Sequence, residues 1–199
     1  MKNPDIRNML IESTIKSIAT NGLDKTTTKS IAGSIELNEA YIYSHFKSKE
    51  GLLEKTFDVL DQELVSILIQ HGSVIFMKGL DSETRCRIYF NYVWQFLLGK
   101  HDRCLAFIRY YYSPYFIKNS FEAHRQRYLP VVEIFNESFV EEADTWMILN
   151  HTLHVILDSA IKVHTGQMPN SDKYMEHVFS VAYRSIEQYF KKKEGTQNG

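Results

Sequence analysis

Polar aromatic and basic side chains crowd one short stretch, Leu37–Leu53, which reads LNEAYIYSHFKSKEGLL. Tyr41, Tyr43 and His45 carry hydrogen-bond donors on stiff rings, and the ammonium groups of Lys47 and Lys49 follow. Such donors suit phosphate oxygens without the flexibility of lysine. Ile42 and Phe46 stand four apart, the spacing of a helix's inner face. Glu39, Ala40, Tyr41, Tyr43, Ser44 and His45 then fall on the outer arc or its edges. Ala40 is small enough to let the helix approach another surface closely. Lys49 falls where the next helix starts, and a helix N-terminus beside an ammonium favours an anion. This is the chemistry of a helix placed in a major groove with phosphate contacts at its flank.

A second cluster, His151, His154 and Asp158, sits at i, i+3 and i+7 in HTLHVILDSAIKVH. Similar offsets hold metals in helical bundles. Zinc sites usually take a further ligand from elsewhere, and no motif supplies one, so no metal is expected. The histidines are read as hydrogen-bonding at a subunit interface. No nucleophile–base pair stands at motif spacing and no phosphate-binding glycine loop occurs, so neither an enzyme nor a cofactor is expected. Arg109, Arg125 and Arg127 are expected to pair with carboxylates rather than with an anionic ligand. Two cysteines, Cys86 and Cys104, are too few for a disulfide framework and are read as reduced thiols in a cytoplasmic protein.

The elements that must position these groups read as helices. The chain has 199 residues, 44% of them hydrophobic, with only four prolines and nine glycines. That composition favours a mostly helical chain with a sizeable core. The net charge of -1 means that any basic DNA-facing surface must be local. MKNPDIRNML has no long apolar run, so no secretory signal is expected, and no segment approaches a membrane span. Apolar spacing predicts helices over about 5–20, from Thr27 or Thr28, from Asn38, and over 49–70. Further helices are predicted over about 82–98, 102–112, 120–139 with a kink at Pro130, 142–164 and 171–192. The tail after Lys192 is polar and expected to fray. The result is an all-α fold.

The segment TTTKSIAGSIELNEAYIYSHFKSKEGLL resembles the DNA-binding domain of the TetR/AcrR family of bacterial transcriptional regulators. Thr27 and Thr28 match its threonine pair and Ile31-Ala32 its Ile-Ala. Ile42-Tyr43, His45-Phe46 and Lys49 with Leu52 match the rest. The likeness spans about residues 5–57 without gaps. It implies a helix-turn-helix DNA-binding domain over 1–48 and a helical ligand-binding and dimerisation domain over 49–199. It also implies a homodimer, most often a repressor, released from a near-palindromic double-stranded operator by a small molecule. Residue by residue, Thr28 and Lys29 take the positions of phosphate contacts, and Glu39, Ala40 and Tyr41 those of base-edge contacts. Tyr43, His45 and Lys49 match residues that meet the backbone. One departure is Glu36, where the family's turn usually carries glycine. A residue with a side chain and positive φ costs about 1 kcal/mol, and a carboxylate there would weaken phosphate binding. Glu36 therefore keeps open a helical small-molecule or metal-binding protein that has lost DNA affinity.

Beyond Arg85 the chain is rich in large aromatics. Trp94, Tyr110 and Tyr111 are the expected lining of a ligand pocket, since an aromatic wall with a few polar groups is what a small-molecule site needs. Trp146, Leu149, Leu153, Leu157 and Ile161 form one apolar stripe near the end of the chain. Met175, Val178, Ala182 and Ile186 form another. Together they are expected to make the dimer seam.

Overall fold

The computed structural model describes residues 5–191; the expected helix end at Lys192 and the polar tail lie outside them. Nine α-helices run through the described residues with no β-strand. They are α1 (Ile6–Asn21), α2 (Thr28–Gly33), α3 (Ala40–Phe46), α4 (Lys49–Gln70), α5 (Ser82–Leu98), α6 (His101–Tyr111), α7 (Phe121–Asn136), α8 (Thr145–His164) and α9 (Asp172–Ile186). The protein is all-α, as its composition and spacing imply.

Local chemistry sets the helix ends. Asp5 caps α1 by accepting from the Arg7 and Asn8 N–H groups, and Gly22 ends it at φ 81°. Thr27 and Ser30 form a reciprocal capping box at the start of α2. Asp144 accepts from the Met147 N–H at 2.9 Å, so α8 starts later than the expected Glu142. The helix expected over 120–139 stops at Asn136, because Phe139 leaves it to bridge Phe190. The same bridge, after a 3-10 turn at Glu187–Tyr189, ends the last helix at Ile186. Pro130 sits inside α7 and the helix continues past it.

The chain divides into two compact units. One takes the chain up to Ser66 with Gly99–Arg127; the other takes Ile67–Leu98 with the chain from Tyr128 onward. This grouping cuts across a division at residue 48, since α6 packs against α1 inside the first unit. Leu10, Ile11, Ile15, Ile18, Ile31, Ile42, Leu52 and Phe57 are the buried core of that unit. Within the second unit, α5 packs on both α8 and α9, and α8 packs on α9. Gly72 lies so close to Ile134 that a Cβ would meet its Cδ1 at 2.5 Å.

Candidate nucleic-acid interface and ligand cavity

The first unit holds a helix-turn-helix made of α2 and α3. Ser13 on α1 ties α2 in place by donating to the Ile31 carbonyl at 2.8 Å, and Ile31 and Ile42 are fully buried beneath it. The turn closes through the Leu37 N–H to the Ala32 carbonyl at 2.9 Å. Glu36 takes φ 56° there, so it bears the left-handed strain that glycine would avoid. Asn38 accepts from the Ala40 N–H at 2.8 Å and so starts α3 from two residues before it.

Everything expected to read bases or phosphates on α3 faces outward. Glu39, Ala40, Tyr41, Tyr43, Ser44 and His45 are exposed, whereas Ile42 and Phe46 are buried. The Arg7 guanidinium covers the Phe46 ring at 5.5 Å. Thr28 lies across from α3 and its hydroxyl donates to Glu39 Oε2 at 2.9 Å. That hydroxyl proton is committed, so Thr28 can offer a phosphate only its backbone N–H while the bond stands. Lys29 is exposed beside it.

The joint into α4 is tight. Lys47 ends α3 at φ 69°, and Ser48 accepts from the Gly51 N–H at 3.0 Å. Gly51 is required here, because a Cβ would stand 2.3 Å from the Phe46 carbonyl oxygen. Lys49, half-buried, is the first residue of α4. The neighbouring Glu50 carboxylate is paired with Lys118 at 3.0 Å, which offsets its charge next to Lys49.

Two arginines of α6 hold the reading head from behind. Arg103 forks onto both Glu12 oxygens at 2.7 and 3.0 Å and reaches Glu63 at 2.8 Å. Arg109 donates to the Ile18 and Ala19 carbonyls at the end of α1, the latter at 2.7 Å. The sequence reading left unmarked a buried polar cluster in the same unit. Asp61, fully buried, meets His124 Nδ1 at 2.9 Å and the Arg127 guanidinium, which also reaches Asp58 at 3.1 Å. The available signal was a carboxylate four residues after buried Phe57 on the apolar face of α4. Of the three arginines weighed as anion ligands, Arg127 pairs with carboxylates as expected. Arg109 instead binds backbone, and Arg125 stands over Phe121 at 6.0 Å.

The second unit contains a cavity of about 80 Å³. Phe90, Tyr128, Phe135, Trp146, Leu149, Asn150, Leu153, Phe179, Ala182 and Ile186 are among its walls. The three aromatics expected to line a ligand site lie elsewhere. Trp94 is buried, stacked on Phe90 at 5.7 Å and set edge-on to Tyr174. Tyr110 stacks on Phe57 at 4.7 Å in the core of the first unit, its hydroxyl 3.0 Å from Ser120 Oγ. Tyr111 packs on Phe116 at 4.4 Å in that same unit. Aromatic content alone did not separate core rings from cavity rings. The decisive feature is the rotation of α8, which turns Trp146, Leu149 and Leu153 inward.

That rotation also corrects the expected dimer seam. Leu157, Val178, Ala182 and Ile186 are buried within the chain itself, so they offer no surface to a second copy. Trp146, Leu149 and Leu153 face the cavity, and Ile161 and Met175 are half-buried. These stripes close the core that α5, α8 and α9 share. The exposed side of the two helices carries instead Met147 (52% exposed), His151, Asp158, His177 and Val181 (60% exposed). Asp158 pairs with Lys162 at 2.7 Å, and His154 Nδ1 lies 2.8 Å from the Asn150 carbonyl. Among the described residues no group of three or more histidines, cysteines or carboxylates is placed to hold a metal ion. Cys86 and Cys104 are buried, and burial pushes each thiol up to about 12. No helix among the described residues is long and apolar enough to cross a membrane.

Residues 10–56 match the family model described as "Bacterial regulatory proteins, tetR family". That match takes in the helix-turn-helix and its flanks, from within α1 to the first turns of α4. Solved structures share the fold over most of the chain. A regulator from Marinobacter aquaeolei VT8 is 18% identical, covers 90% of this chain and 94% of its own, and superposes with a TM-score of 0.69. One from Shewanella sp. PV-4 is 16% identical, with 90% and 96% covered and a TM-score of 0.71. EbrR, a multidrug binding protein solved with imidazole, is 13% identical, with 92% and 96% covered and a TM-score of 0.58. No curated protein sequence matches the chain.

Proposed function

We propose that this chain is a regulator of the TetR family, a cytoplasmic homodimeric repressor that leaves a near-palindromic DNA operator when a small molecule binds. The outward face of α3 carries this reading. Glu39, Ala40 and Tyr41 stand exposed at its start, where a helix in the major groove meets base edges. Tyr43, His45, Lys29 and Lys49 flank that face with donors suited to phosphates. Residues 1–48 supply the DNA-reading part and 49–199 the ligand-binding and dimerising part.

The cavity in the second unit supports an effector site, and the likeness to a multidrug binding protein solved with imidazole supports it further. Dimerisation is assigned to the exposed side of α8 and α9, centred on Met147 and Val181, since unpartnered apolar side chains of that size seek cover. Two copies of the pair would form a four-helix bundle.

The test is selection of DNA fragments by the pure protein, followed by sequencing and gel shift. A symmetric motif with half-sites about one helical turn apart is expected. Enrichment of no symmetric sequence would sink the operator reading.

A further inference from the structure

The cavity walls carry no ionised side chain. They come from the end of α4 and from α5, α7, α8 and α9, and none is lysine, arginine, histidine, aspartate or glutamate. Three titratable groups of the lining, Cys86, Tyr89 and Tyr183, are held neutral. Burial pushes the Cys86 thiol up to about 12 and raises the Tyr89 and Tyr183 phenols. Much of the polar lining is already engaged within the protein. Tyr89 donates to the Leu68 carbonyl at 3.0 Å and Thr152 to the Ile148 carbonyl at 2.8 Å, while the Tyr183 hydroxyl lies 3.0 Å from Ser82 Oγ. An ion entering such a site loses its water and gains no counter-charge, which is among the costliest changes in a protein interior.

Size narrows the class further. A dry apolar cavity of about 150 Å³ holds one benzene. The present cavity, about 80 Å³, is smaller, so a ring enters only if a flexible wall residue such as Leu149 or Leu153 turns aside. We propose that this cavity receives an uncharged, mostly apolar molecule of about one aromatic ring and rejects ions of the same shape. Its regulatory meaning rests on the effector reading above; the binding claim does not. Both moving walls belong to α8, the helix whose opposite side is assigned to the dimer, so a ligand would act on subunit spacing through that helix.

The experiment uses the full chain with Trp94→Phe, which leaves Trp146 as the one tryptophan. Toluene, benzoate and benzylammonium are titrated while Trp146 emission and thermal stability are followed. Toluene should bind saturably, change the emission and raise Tm, and each ion should bind at least about 100-fold more weakly. Equal binding of either ion, or no binding of toluene, overturns the proposal. Leu153→Phe should fill the space and abolish the toluene response; if that variant does not fold, Leu149→Phe, which places a larger ring in the same wall, should weaken it at least several-fold. An undiminished toluene response in a folded filled variant would place the site elsewhere and equally overturn the proposal. Gel shifts in saturating toluene separate the two readings. Toluene that binds without changing DNA affinity leaves the ligand class standing and removes the effector role.

Discussion

The Thr28 hydroxyl donates to Glu39 Oε2 across the helix-turn-helix, at 2.9 Å. It joins the start of α2 to the residue before α3, and it fixes the direction of an exposed carboxylate on the reading face. A carboxylate repels phosphates, but it can accept from the cytosine N4 amino group in the major groove. Glu39→Gln should therefore change the base preferred at one symmetric pair of operator positions. Thr28→Val, which keeps the shape and loses the donor, should blur that same pair. Binding to a library of operator variants checks both, and effects at two unrelated pairs of positions would refute the coupling.

Lys49 and Tyr41 should separate by salt. Lys49→Ala removes a phosphate contact, lowering the slope of log affinity against log salt by roughly one unit per subunit, or about two per dimer, with base preference kept. Tyr41→Ala should leave the slope alone and cost about 1–3 kcal/mol at one position in each half-site. Titrations at several salt concentrations decide this, and an exchange of the two outcomes would reverse the assignment.

Glu36 bears a positive φ in the turn. Glu36→Gly should raise stability by roughly 0.5–1 kcal/mol, and Tm by about 1–4 °C. It should also tighten DNA binding, since a carboxylate leaves the neighbourhood of the phosphates. Differential scanning calorimetry and gel shift give the two answers; a lower Tm would mean that the Glu36 side chain is stabilising where it stands.

Val181 is the exposed apolar residue at the centre of the assigned dimer face. Val181→Arg should give a folded monomer by light scattering, with weak operator binding. Leu153→Arg is a poorer probe, because Leu153 faces the cavity and its loss damages the fold first. A stable Val181→Arg dimer would move the interface away from this face.

The thiols predict a pH limit. Their folded values, about 12, lie above the ordinary 9.0, so the folded chain holds these protons more tightly than the unfolded one. Their contribution is complete below pH 9 and is lost as pH rises from 9 towards 12, by at most about 1.4 kcal/mol per pH unit for each thiol. Alkylation by iodoacetamide at pH 8 should be slow when folded and fast in denaturant. Fast labelling of the folded chain would contradict this burial.

Helix positions were legible in the sequence because caps and apolar periods are local. Lys49–Gln70 falls on the helix read from its leucines, and the reading head followed from Ile42 and Phe46 four apart. The cavity and the dimer face were not legible. A stripe such as Trp146, Leu149, Leu153 and Leu157 says that a helix buries one side, not whether that side meets its own chain or a second copy. The same limit hid the roles of Trp94 and Tyr110, whose partners, Phe90 and Phe57, are chosen by packing in three dimensions. Asp61 escaped notice because its compensating groups, His124 and Arg127, lie more than sixty residues away.

Arg109, on α6, binds the last carbonyls of α1. The negative end of that helix is thus neutralised by a residue about ninety positions later, with Arg103 gripping Glu12 of α1 as well. The reading head is consequently not a portable cassette. A chimera that transplants residues 1–48 onto another regulator inherits the DNA-facing side chains but leaves behind the two guanidinium groups that hold them. A working graft would have to carry a matching α6 with it.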